Sequence, residues 1–120
     1  MAAFDAATLD ALRHLDEVAL RTRRHADRAV VIWSVVADGA LFVRSARGAK
    51  GRWYRDVTAE PQAALEFSGR RLAVKAVPIA DPEAIARVSG EYLRKYRNSP
   101  YARSVVAPAV LSTTLRLEPI

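Results

Sequence analysis

Apolar and polar positions change period several times along this chain, and each change marks an element. Leu9, Leu12 and Leu15 recur at helical spacing behind Asp5, a capping residue preceded by Phe4, which predicts an N-terminal helix. From Glu17 the spacing becomes alternation, with Val18, Leu20 and Thr22 on one face and Ala19, Arg21 and Arg23 on the other, as in a half-buried strand. The stretch from Ala29 to Ala37 is apolar on both faces, so the strand it predicts needs cover on each side. Asp38-Gly39 then joins it to Leu41-Phe42-Val43-Arg44-Ser45, and a two-residue turn of that kind predicts a tight antiparallel hairpin. A basic loop follows, and Trp53 to Val57 read as a short helix ending before Pro61.

The second half repeats the same logic. Ala63 to Phe67 and Leu72 to Val77 form a second hairpin across Ser68-Gly69. Asp81-Pro82 opens a helix whose stripe is Ile85, Val88, Ser89, Tyr92 and Tyr96, running to about Asn98. After an irregular stretch, Thr113-Thr114-Leu115-Arg116-Leu117 alternates as a closing strand. About six short strands with two or three edge helices predict a mainly β fold with flanking helices, a small antiparallel split β-barrel forming one domain over residues 1–120. In such a barrel the outer face of Val30 to Val36 requires a helix or a second subunit, which predicts a homodimer.

Composition narrows the chemistry. With no cysteine, the chain has neither disulfides nor thiolate nucleophiles nor Cys-ligated zinc, so redox chemistry requires a bound cofactor. No run of about 18 apolar residues occurs and the N-terminus is acidic at Asp5 and Asp10, so the protein is read as cytoplasmic and not membrane-bound. The net charge of +6 favours anionic partners. Arginine outnumbers lysine 16 to 3, a bias that a GC-rich genome also produces, so only local clustering of arginines bears on function. The densest cluster is Arg44, Arg47, Lys50, Arg52 and Arg55, which fall within twelve residues, interleaved with glycines and opposed by Asp56 alone. Arginine forks two donors onto phosphate oxygens, and Ser45 and loop amides add neutral donors. The plain alternative is a solvated hairpin end that keeps the protein soluble.

The order Trp33, Val43-Arg44-Ser45, Arg47-Gly48, Gly51-Arg52-Trp53-Tyr54-Arg55, Lys95-Tyr96 and Thr113 to Leu117 resembles the domain-of-unknown-function 2255 family over nearly the whole chain. That family is similar to the FMN-binding split barrels, the group of pyridoxamine phosphate oxidases and deazaflavin-dependent reductases. The resemblance implies an FMN or deazaflavin cofactor, a dimer, and cofactor contacts at the strand end and the turn after it: Arg44, Ser45, Arg47 and Lys50, with Arg52 and Trp53 alongside. The Arg-Ser-Ala-Arg-Gly-Ala-Lys-Gly loop reproduces neither the oxidase nor the deazaflavin signature, which leaves the choice of flavin open.

Other features have duller readings. Trp53 and Tyr54 suit stacking on a planar ligand, but tryptophans in small domains are mostly packing anchors, and Trp33, Tyr92 and Tyr96 are read that way. Strand propensity explains Thr113 and Thr114. His14 and His25 belong to no metal-spacing motif, no Ser-His-Asp set or carboxylate pair stands out, and no catalytic residue or metal ligand is assigned. The leading reading is a flavin- or deazaflavin-binding protein, an oxidoreductase if it is an enzyme, acting on a small organic substrate. A non-catalytic module for a small anionic metabolite is the alternative. Nucleic-acid binding ranks last, because Arg21, Arg23, Arg94 and Arg103 are scattered among apolar segments and form no stripe.

Overall fold

A computed structural model describes residues 2–120. The elements follow in the order α1 (Ala6–Arg13), β1 (Glu17–Thr22), β2 (Val30–Trp33), β3 (Val35–Ala37), β4 (Ala40–Val43), α2 (Arg52–Ala59), β5 (Gln62–Phe67), β6 (Arg70–Pro78), α3 (Pro82–Lys95), α4 (Pro108–Leu111) and β7 (Leu115–Pro119). Short 3₁₀ turns at Gly48–Lys50 and Ala102–Val106 connect some of them. The seven strands form one antiparallel sheet in the order β2-β1-β5-β6-β7-β4-β3, curled into a nearly closed barrel.

Local signals act where the chain places them. Asp5 caps α1 by accepting a hydrogen bond from the Thr8 amide at 2.8 Å, and Asp81 caps α3 from the Ala84 amide at 3.1 Å. Asp38 and Gly39 take φ of 51° and 72°, and Ser68 and Gly69 take 50° and 74°. Both hairpins therefore close through two left-handed residues, the geometry that matches the right-handed twist of the flanking strands.

The apolar stretch from Ala29 to Ala37 is the main departure from the sequence-based expectation. It is two strands, not one, and it breaks at Ser34. β2 pairs with β1 while β3 pairs with β4, so the two edges of the sheet are halves of one stretch of chain and Ser34 is the seam of the barrel. Without strand partners, the fully buried Ser34 backbone finds others. Its amide donates to the Tyr96 hydroxyl at 3.2 Å, and its carbonyl accepts from Lys95 Nζ at 2.7 Å. The Tyr96 hydroxyl itself donates to the Asp16 carbonyl at 2.6 Å.

The pleat divides the core in two. Ile32, Val36, Leu41 and Val43 face one cluster with Val18, Leu20, Leu65, Val74, Leu115 and Leu117, against which α1 packs Leu9 and Leu12. The alternate residues Val35, Ala37 and Phe42 face Val88, Tyr92 and Tyr96 of α3. Trp33 stacks flat on Tyr96, with centroids 4.0 Å apart and planes 4° from parallel. Cover for the outer face thus comes from α3 along β3, whereas Val31 on β2 remains 63% exposed.

Candidate functional site

The basic segment follows β4 and leads into α2, and the structure separates residues that the sequence groups together. Arg44 is 3% exposed. Its Nε donates to Thr114 Oγ1 at 2.9 Å, Nη1 to Ser89 Oγ at 2.8 Å and the Val105 carbonyl at 3.0 Å, and Nη2 to the Ile85 carbonyl at 2.9 Å. The guanidinium lies 5.5 Å from the centre of the Tyr92 ring, and no carboxylate pairs with it among the described residues. Burial pulls its pKa below the ordinary arginine value. An arginine held in this way ties β4 to α3 through four of its N–H groups while also bordering the cavity at the end of β4.

Thr113 and Thr114 are also more than strand formers. Thr113 Oγ1 accepts from the Ser45 amide at 3.0 Å and donates to the Val110 carbonyl at 2.6 Å, and Thr114 Oγ1 donates to the Leu111 carbonyl at 2.7 Å while holding Arg44. These bonds fix the end of β4, from which the loop departs.

Arg47, Lys50 and Arg52 are exposed, and none of them pairs with a carboxylate among the described residues. Arg44, Arg47 and Arg52 border a cavity of about 540 Å³ together with Val30 to Trp33, Ser45, Trp53 and Tyr101. Lys50 is not among its lining residues. Ser45 is buried and its hydroxyl has no hydrogen-bond partner among the described residues. Gly51 lies against it: a Cβ at that position would stand 2.4 Å from Ser45 Oγ, so a larger residue would displace the wall. The half-buried Trp53 packs on the barrel core and meets Tyr54 edge-to-face at 6.3 Å.

A second, smaller cavity of about 170 Å³ shares Val30, Arg52 and Trp53 with the first and adds Thr22, His25, Arg28 and Asp56. Here Asp56 Oδ2 lies 2.6 Å from His25 Nδ1 and accepts from Thr22 Oγ1 at 2.8 Å. Burial alone would raise the Asp56 carboxyl, but the bonds from His25 and Thr22, with the charges of His25 and Arg24, hold it below the usual carboxylate range. Sequence reading missed this pair because its members lie 31 residues apart on different elements. The available signal was Asp56 itself, a lone acid in a basic segment. No group of three or more His, Cys, Asp or Glu among the described residues could hold a metal ion, and no helix there is long and apolar enough to cross a membrane.

Known structures share this fold. HutZ, the heme storage protein from Vibrio cholerae, superposes with a TM-score of 0.70 at 13% identity over 96% of this chain and 89% of its own. An F420-H2-dependent reductase gives 0.64 at 18% identity over 86% and 94%. A conserved hypothetical protein from Mycobacterium tuberculosis gives 0.64 at 16% over 99% and 81%. No curated protein matches. At these identities the likeness establishes the fold, a split barrel, and the same fold serves different ligands. The sequence profile of the DUF2255 family, uncharacterized proteins conserved in bacteria, matches residues 8–117, and the chain belongs to that family.

Proposed function

We propose that the larger cavity holds a flavin or deazaflavin, with the ring against Val30, Ile32, Trp33 and Trp53 and the anionic tail against Arg47 and Arg52. The supporting observation is the pairing, in one cavity, of an aromatic and aliphatic wall with Arg44 and the exposed Arg47 and Arg52, none of which has a carboxylate partner among the described residues. Its volume of about 540 Å³ falls in the range of small-molecule sites, roughly 300–1,000 Å³. The buried Ser45 hydroxyl, without a hydrogen-bond partner among the described residues, lies at the wall of this cavity. A bound flavin or deazaflavin would supply hydride transfer, and the protein would orient it, neutralise its phosphate and exclude water, the basis of an oxidoreductase. Lys50 can add only long-range attraction.

Val31 and Tyr101, 63% and 71% exposed, flank the same cavity, and β2 is a sheet edge. These features support a homodimer in which a second copy covers the cavity. Titration with FMN, with a deazaflavin and with phosphate-free riboflavin tests the cofactor reading. Tight binding of a phosphorylated flavin, lost with riboflavin, supports it. No flavin binding overturns it in favour of a cofactor-free module for an anionic metabolite.

A further inference from the structure

His25 and Asp56 meet from separate elements: His25 sits in the turn between β1 and β2, Asp56 on α2, and Thr22 at the end of β1 completes the contact. An ionised carboxylate only accepts hydrogen bonds, so the ring nitrogen facing Asp56 is an N–H. The neutral ring is therefore the Nδ1–H tautomer. Nε2, on the opposite side, has no hydrogen-bond partner among the described residues, and the His25 side chain is 44% exposed where it lines the smaller cavity.

The lining of that cavity sets Arg28 and Arg52 against Asp27 and Asp56, so its formal charge is balanced while His25 is neutral and positive once His25 is protonated. Asp56 is engaged by His25 and Thr22, and Arg24 is paired with Glu60 at 3.3 Å. Asp27, at the cavity, also feels Arg21. Arg28 and Arg52 line the cavity without a carboxylate partner among the described residues. At about 170 Å³ it lies below the range of cofactor-sized sites and admits a single small group.

We propose that the smaller cavity is an oxyanion subsite in which Arg28, Arg52 and a protonable His25 bind the carboxylate or phosphate group of a small substrate, with Asp56 as the residue that positions the imidazole. Protonation at Nε2 adds a third donor to the two guanidinium forks, so anion affinity follows the charge of His25. Because Arg52 and Trp53 also line the larger cavity, a substrate anchored here extends toward it. The assignment holds whether or not a flavin binds there.

The test uses the full chain and sulfate, whose charge is constant between about pH 5 and 8, where histidine titrates. Binding is followed by NMR of the imidazole nitrogens, with His14, which lines neither cavity, as the internal reference. The expected result is an Nδ1–H tautomer for neutral His25, a sulfate-induced shift at Nε2 that spares His14, and affinity that weakens as pH rises through the His25 titration. Arg28→Gln and Arg52→Gln each weaken binding about tenfold, the loss of one charge-assisted contact. His25→Gln abolishes the pH dependence but leaves flavin affinity at the larger cavity unchanged. Asp56→Asn gives a mixture of tautomers. Acetate in a parallel titration shows whether a planar or a tetrahedral group is preferred, and tighter sulfate binding assigns the phosphate class. An Nε2–H tautomer, a His25 ring unmoved by both anions, or binding indifferent to both arginine variants overturns the proposal.

Discussion

Arg44 and Arg47 are three residues apart, chemically identical and border one cavity, yet Arg44 is buried and engaged with the protein while Arg47 is exposed. The side under α3 is sealed: Arg44, Lys95 and Tyr96 are buried or half-buried, and their polar atoms bond to carbonyls and hydroxyls of the protein itself. The side formed by α2, β2 and the loop before α2 is open, and there Arg28, Arg47 and Arg52 have no carboxylate partner among the described residues. Cations on the first side hold the fold, and those three on the second have no carboxylate to hold. Clustering in sequence does not distinguish them; the side of the barrel does.

The sharpest way to break this comparison is through the two halves of the split strand. Val35→Asp places a carboxylate, 1% exposed in position, beneath α3 and is expected to cost about 4 kcal/mol or more, abolishing cooperative thermal unfolding. Val31→Asp, on the open side, should leave the unfolding transition within about 0.5 kcal/mol of the parent, its effect confined to the proposed dimer by gel filtration. A soluble, cooperatively folding Val35→Asp protein would remove the sealed side from the argument.

Arginine replacements come next. Arg44→Met leaves Thr114 Oγ1, Ser89 Oγ and two carbonyls without their donor and should lower stability by about 2–4 kcal/mol in denaturant titration. Arg47→Glu with Lys50→Glu should change stability by less than about 0.5 kcal/mol while weakening FMN binding about tenfold or more, with most of the loss from Arg47. Equal effects on folding from the two experiments would erase the distinction between the sides.

Alkaline titration gives the smallest and most specific effect. Burial, reinforced by Asp16 and Glu17 against the pull of the Ser34 bond, pushes the Tyr96 hydroxyl up to about 12 from 10.0. A hydroxyl with a raised folded pKa contributes stability that is complete below the unfolded value and lost as pH rises through the folded one. Stability should therefore decline between about pH 10 and 12, and Tyr96→Phe should flatten that decline. An unchanged alkaline limb in the variant would mean that the seam does not depend on this proton.

How much of this was legible in the sequence depended on the distance between partners. Asp5, Asp81, Asp38-Gly39 and Ser68-Gly69 act on residues one to three positions away, so caps and hairpins follow from local chemistry. The alternation in β1 and the stripe of α3 show which faces are buried, because burial repeats with the period of the element. The break at Ser34 was hidden, since a strand serving two sheet edges and an uninterrupted buried strand are both apolar throughout. The hydrogen bonds that bury Arg44 were not legible because its partners Ser89 and Thr114 lie 45 and 70 residues away. Among the expected cofactor contacts, Arg44, Ser45, Arg47, Arg52 and Trp53 do converge on one cavity, while Lys50 stays outside its lining.

The seam at Ser34 also bears on how the chain reaches this state. Both hairpins can form early from near neighbours, but the ring is complete only when β4 has found β7, as in Leu41 against Leu117, and α3 has brought Lys95 and Tyr96 to the exposed backbone between β2 and β3. Those encounters join distant parts of the chain, and proteins dominated by such pairings fold in milliseconds to seconds rather than microseconds. Until they occur, two unpaired strand edges face water in one molecule, the condition under which a chain can complete its barrel with a segment of another copy.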